Sequence, residues 1–157
     1  MKRTARGFSL PEIMVILMII SMLSTGGIAG FQRFQQHQQL WQTTHQLTQF
    51  LYQLRSDANT YNRDHLLVFY PQRQGGCFAS QSLAARPCDG NHPWQFRPDG
   101  KGISVEEITP GLGFYGLMNT ARPGHIIVRN AAGIRKVIVS VWGRIRHCAV
   151  GLSGQCS

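Results

Sequence analysis

Arg6-Gly7-Phe8-Ser9-Leu10-Pro11-Glu12, with an uncharged run behind it over residues 13–31, sets one carboxylate at the entrance of an otherwise apolar helix. A charge near a bilayer centre costs roughly 2.5–3.5 kcal/mol even on the mildest scales, so a carboxylate there implies a function and a partner. Cleavage after Gly7 supplies that partner. The new amino group on Phe8 is a cation within about one helical turn of Glu12, in the same chain or on a subunit packed alongside. Lys2, Arg3 and Arg6 form a short basic leader that stays on the cytoplasmic side. As a helix the run over 13–31 extends about 28 Å, close to the roughly 30 Å hydrocarbon core. Pro11 falls in the first turn of the mature helix, where its missing donor has no partner to lose.

An ordinary secretory signal is the competing reading, because Gly27-Ile28-Ala29 offers a small-x-small cleavage site after a basic and then an apolar region. Glu12 weighs against it, since such a region gains nothing from a carboxylate at its entrance. Taken together, the basic leader, the Gly7-Phe8 junction, Glu12 and the apolar run resemble the class III signal of type IV pilins and type II secretion pseudopilins. The resemblance implies that a prepilin peptidase cuts between Gly7 and Phe8, N-methylates Phe8 and leaves Glu12 at the fifth mature position for assembly. It also implies a division into a leader (1–7), a transmembrane and assembly helix (8–31) and a periplasmic pilin domain (32–157). The protein is then held in the bacterial inner membrane by a single span, and later joins a pilus or pseudopilus.

Beyond the run, residues 31–61 are Gln-rich, with apolar side chains at Leu40, Trp41, Leu47, Phe50, Leu51, Leu54, Ala58 and Tyr61. Intervals of three, four and seven describe one face of a helix continuing from the apolar run, with flexing expected only at Gly26, Gly27 and Gly30. A coiled coil fits less well, because the stripe spans about three heptads and its flanks carry Gln and Thr instead of paired charges. After Asn62 the pattern changes to short β-type runs at 66–70, 94–97, 103–108, 125–129, 135–141 and 144–150, punctuated by Gly and Pro. Long loops are expected between Gly75 and Pro93 and between Thr109 and Pro123. The fold class is therefore α+β: a long N-terminal helix, membrane half and amphipathic half, packed on a small antiparallel sheet or two small sheets.

The length leaves room for one small globular domain after the anchor. Its four cysteines, Cys77, Cys88, Cys148 and Cys156, all fall on the exported side, where oxidation is expected. Three pairings exist; the simplest joins Cys77 to Cys88 and Cys148 to Cys156, closing short loops for roughly 2–3 kcal/mol each on the chain-entropy model. The Cys separations match no common zinc spacing, and no cofactor or metal is expected.

Charge is uneven. The chain is formally +9, and without Lys2, Arg3 and Arg6 the count is 9 − 3 = +6. No acidic residue follows Glu107, while Arg122, Arg129, Arg135, Lys136, Arg144 and Arg146 do, with His125 and His147 among them. Such a one-sign surface attracts polyanions at moderate salt. Anionic headgroups and acidic faces of neighbouring subunits are further partners for it, and a solvated face without a specific partner is the bland alternative. In Trp142-Gly143-Arg144-Ile145-Arg146-His147-Cys148, strand alternation puts Arg144 and Arg146 on one face. Their planar guanidinium groups suit bidentate phosphate contacts.

The Gly-Arg-x-Arg run followed by Cys, on a helix-plus-sheet body, resembles minor pilins of the FimT/GspH type, some of which use such a motif to bind DNA in natural transformation. Trp41-Gln42-Thr43, Asn62-Arg63-Asp64-His65, Gly116-Leu117-Met118-Asn119-Thr120-Ala121 and Gly124-His125-Ile126 extend the resemblance to prepilin peptidase-dependent minor pilins along the whole chain. It implies a part in initiating pilus assembly. The implied partners are the prepilin peptidase, other minor and major pilins and the inner-membrane assembly platform. That likeness does not itself imply DNA uptake, and DNA, bound through Arg144, Arg146, Arg135, Lys136 and Arg129, is the partner in an alternative reading as a DNA-binding minor pilin. A GspH-like pseudopilin of type II secretion is the alternative that shares the same N-terminal chemistry.

No enzyme is expected. Glu106 and Glu107 should face opposite sides of a strand, and no hydrolase elbow, phosphate loop or zinc-binding helix motif is present. Asn62-Arg63-Asp64-His65 sets an acid beside a histidine, but its place after the long helix suits a helix end and turn.

Overall fold

Helix α1 (Leu10–Tyr61) starts where the carbonyl of Ser9 accepts the backbone N–H groups of Glu12 (3.0 Å) and Ile13 (3.3 Å), so Pro11 lies in the donor-free first turn. The computed structural model describes residues 9–72, 76–81, 88, 92–98, 102–151 and 156, without the side chains of 23–29 and 118. Lys2, Arg3, Arg6, Gly7 and Phe8 lie outside the described residues. The helix runs unbroken past Gly26, Gly27 and Gly30. Among the described residues no helix is long and apolar enough to cross a membrane. The run expected to do so includes 23–29, whose side chains are not described.

The chain divides into two compact units, one ending at Gln35 and one running from Gln36 to Ser157. In the second, α1 buries Leu40, Leu47, Phe50, Leu51, Leu54 and Ala58. Trp41 and Tyr61, expected in the same stripe, are exposed at 46% and 67%. Threonines take that space: Thr43, Thr44 and Thr48 are buried. The Thr44 hydroxyl donates to the Leu40 carbonyl (2.7 Å) and that of Thr48 to the Thr44 carbonyl (2.8 Å), so these two buried hydroxyls each have an acceptor.

Among the described residues nine strands follow: β1 (His65–Tyr70), β2 (Cys77–Ser80), β3 (Gln95–Phe96), β4 (Ser104–Ile108), β5 (Gly113–Tyr115), β6 (Thr120–Arg122), β7 (Gly124–Asn130), β8 (Gly133–Val139) and β9 (Ile145–Ala149). They form two antiparallel sheets, ordered β3-β2-β1-β5-β6 and β4-β7-β8-β9. One core unites the α1 stripe with Leu67, Phe78, Phe114 and Ala121 of the first sheet and Ile126, Val128, Val137, Val139 and Ile145 of the second.

Three strands occupy segments expected as loops: β2 between Gly75 and Pro93, and β5 and β6 between Thr109 and Pro123. They are short: β5 gains its place from β1, distant in sequence, while β2 pairs with β1 and β3 and β6 pairs with β5, contacts that local patterning does not register. The strand expected through residue 141 ends at Val139. Both disulfides are sequence-local, Cys77–Cys88 and Cys148–Cys156, with Cα separations of 6.0 and 5.4 Å.

The turn from helix to sheet is closely fitted. Asn62 takes a left-handed φ of 49°, and the Arg63 N–H donates to the Ala58 carbonyl (3.2 Å), closing α1 with a Schellman-type cap. Gly116 presses on this corner. A Cβ on it would meet Arg63 N and Asn62 C at 2.5 Å, both backbone atoms. Gly116→Ala is therefore expected to destabilise the fold by about 2–3 kcal/mol, read as a lower denaturation midpoint.

Candidate functional site

Two regions carry candidate chemistry, each within its own unit. In the first, Glu12 is exposed in the opening turn of α1 and is followed by Ile13, Met14, Val15, Ile16, Leu17, Met18, Ile19 and Ile20, all exposed. A helix apolar on every side cannot be satisfied by water, and demands lipid or other helices around it.

The second region is the four-stranded sheet. Across it, Lys136 stands opposite Ile127 and Cys148, Arg146 opposite Ile138, and Ile138 opposite His125. Cross-strand partners share a face, so these residues lie on the side away from the buried Ile126, Val128, Val137, Val139 and Ile145. Arg144 falls just before β9 and joins Arg146 there: both are exposed, between buried Gly143 and Ile145. Arg135 is paired with the buried Val128 and lies on the other face, where it lines a groove with His37, Gln38 and Trp41. Arg129 has a carboxylate partner, Glu106 at 3.4 Å. Of the five residues expected to bind an anion together, the structure groups Arg144, Arg146 and Lys136.

Glu106 and Glu107 do not face opposite sides of their strand. The β4–β7 register shifts between Val105 and Glu107, a bulge that inserts one residue and brings both carboxylates to the same face. There Glu106 meets Arg129, and Glu107 meets His125 Nε2 at 3.2 Å. Acid therefore collects at the β4 edge and base at the β9 edge.

Gly143 explains the start of the Gly-Arg-x-Arg run. Its N–H donates to the Ser140 carbonyl (2.9 Å), its φ is +67°, and the Ser140 N–H donates to the Arg144 carbonyl (3.0 Å). This is the three-residue hairpin loop that ends in a left-handed residue. A Cβ at Gly143 would also meet Arg55 Nε at 2.9 Å. Arg55 in turn donates to Asn119 Oδ1 from Nε (3.3 Å) and from its terminal nitrogen (3.2 Å), tying the loop to the neighbouring 3-10 turn (Leu117–Asn119). The strand expected over 135–141 reaches into this loop, whose tip, Val141 and Trp142, is exposed at 52% and 76%. The signal was Trp-Gly directly after the strand.

At the helix end, Asn62-Arg63-Asp64-His65 forms a clamp. Arg63 donates to both oxygens of Asp57 (2.5 and 2.6 Å), and His65 Nε2 donates to Asp57 Oδ2 (2.6 Å). His65 Nδ1 lies 2.9 Å from the Ser80 hydroxyl, and Asp64 Oδ1 accepts the Gly116 N–H (3.0 Å). The Arg63 hydrogen bond, assisted by His65 and working against desolvation, holds the Asp57 carboxyl below its ordinary range. Asp57 raises the Arg63 guanidinium in return. Ser80, His65 and Asp57 are the residue types of a hydrolytic triad, but Ser80 and His65 are wholly buried and Arg63 occupies the carboxylate. The arrangement fastens helix to sheet.

The prokaryotic N-terminal methylation motif matches residues 2–28, spanning the leader, Gly7, Phe8 and Glu12. That motif is typical of type IV pilin-like prepilin peptidase substrates. It indicates a subunit of a pilus or pseudopilus and implies processing by a prepilin peptidase and assembly with other pilins. No curated protein and no solved structure matches it. The α+β body, one helix against antiparallel sheets, is compatible with a pilin-like fold.

Proposed function

We propose that this chain is a minor type IV pilin that helps to initiate filament assembly, made as an inner-membrane precursor and cut between Gly7 and Phe8. The observation that carries the reading is the lone carboxylate Glu12 in the first turn of an uncharged, exposed helix, within a methylation motif. In this reading the Phe8 amine and Glu12 neutralise one another as subunits leave the bilayer. The helix packs among other minor and major pilins above the inner-membrane assembly platform, and the domain faces the periplasm and then the filament surface. It acts as a building block, not an enzyme. A secretion pseudopilus could use the same parts, and sheared surface filaments separate the two settings. Mass spectrometry of those filaments is expected to find this chain starting at N-methylated Phe8. A mature end at Gly30, as from an ordinary signal peptidase, would overturn the proposal.

A second reading, a DNA-binding minor pilin, is favoured by one arrangement: Arg144 and Arg146 exposed beside Lys136 on one sheet face, with the acidic residues at the opposite edge. Guanidinium groups so placed suit backbone phosphates.

A further inference from the structure

We propose that Trp142 is a base-stacking platform, making the β9 edge a site for single-stranded nucleic acid in preference to duplex. The inference rests on the second reading above, in which Arg144 and Arg146 hold phosphates. Trp142 is 76% exposed, against 46% for Trp41, and sits at the tip of the Ser140–Arg144 hairpin. The tip is held in place. Ser140 and Arg144 are joined by the Ser140 N–H to the Arg144 carbonyl (3.0 Å) and by the Arg144 N–H to the Ser140 hydroxyl (3.1 Å), and Gly143 abuts Arg55. An indole of this size gains nothing from water, and it takes no part in the core.

Two exposed arginines follow it within four residues, so one hairpin carries an exposed aromatic ring and two cationic forks close together in the chain. Unpaired bases offer a π-face to stack and phosphates to pair, whereas a duplex keeps its base faces inside. A second copy of this chain is a poorer occupant, because it would set the same arginines against each other. The carboxylates that could relieve them, Glu106 and Glu107, stand at the far edge facing Arg129 and His125. An anionic lipid shares the phosphate but has no planar face.

The test uses the full chain in nonionic detergent, titrated with labelled oligothymidine and with a duplex of equal length. Oligothymidine is expected to bind more tightly. Trp142→Ala is expected to weaken it roughly tenfold and to leave duplex binding nearly unchanged, while Trp142→Phe retains most of the affinity. The Arg144→Ala, Arg146→Ala double variant weakens both forms. Because Trp142 is exposed, an unchanged unfolding midpoint will show that the variants fold. If Trp142→Ala lowers both forms equally, or neither, the stacking proposal is overturned and the phosphate reading stands. If the wild-type chain binds neither form, both fall; Trp142-dependent binding to phosphatidylglycerol vesicles would then assign the edge to lipid.

Discussion

Glu12→Ala is expected to reduce incorporation of this chain into surface filaments roughly a hundredfold while leaving its membrane level unchanged. The magnitude follows from the cost of one uncompensated charge in an apolar setting, about 2.5–3.5 kcal/mol, at tenfold for each 1.4 kcal/mol. In the proposed mature form Phe8 carries a cation that loses its counter-charge when the carboxylate is removed. The neighbouring residues offer no substitute, since positions 13–31 hold no charge. Glu12→Asp should recover part of the loss, because it keeps the charge on a shorter arm. Glu12→Gln should not, because it keeps the shape without the charge. Immunoblots of sheared filaments against whole membranes measure the ratio. Equal incorporation of the wild-type and Glu12→Ala chains would end the assembly role assigned to this carboxylate.

His65→Ala carries the second large effect, a loss of about 3 kcal/mol in unfolding free energy. The substitution empties a fully buried ring site against Trp94, whose ring centroid lies 5.0 Å away, and strips partners from Ser80 and Asp57. Denaturant unfolding of the full chain in detergent, followed by tryptophan fluorescence, reads it directly. The clamp also predicts a pH dependence. Asp57 is held below its ordinary range in the folded state, so the unfolded chain binds its proton first as pH falls. The contribution of Asp57 is fully present above the unfolded value, about 3.9, and is lost as pH falls through the folded one. Asp57→Asn should flatten the unfolding midpoint across that acidic window. An unaltered slope in Asp57→Asn would show that the clamp carries no charge-dependent stability.

The long helix and most of the second sheet were legible in the sequence. Leu40, Leu47, Leu51, Leu54 and Ala58 keep helical spacing and are buried. The alternating segment Ile134-Arg135-Lys136-Val137-Ile138-Val139 is a strand because it can bury Val137 and Val139 while keeping Lys136 on the other side. Less visible were elements defined by their partners. Thr44 and Thr48 look polar, yet they are buried because the helix backbone accepts their hydroxyls. Cys77-Phe78-Ala79-Ser80 reads as part of a Gly- and Cys-rich loop, yet it pairs on both sides, with β1 and β3. Of the candidate anion site, Arg144 and Arg146 followed from strand alternation. The separation of Arg135 from Lys136 is that same alternation applied to β8, and the pairing of Arg129 with Glu106 depends on a bulge that no local pattern announces.

The corner at the end of α1 has a consequence for divergence. Each of its residues has a separate duty: Asp57 accepts two partners, Asn62 turns the chain, Arg63 and His65 grip Asp57, and Asp64 holds Gly116. Drift at any one of them strands the others, so the set should change together or not at all. Asp-x4-Asn-Arg-Asp-His, with a glycine and a serine downstream to receive it, is then a fingerprint of this helix-to-sheet junction. It can be sought in chains whose loops, hairpin tips and surface charges have been rewritten beyond recognition.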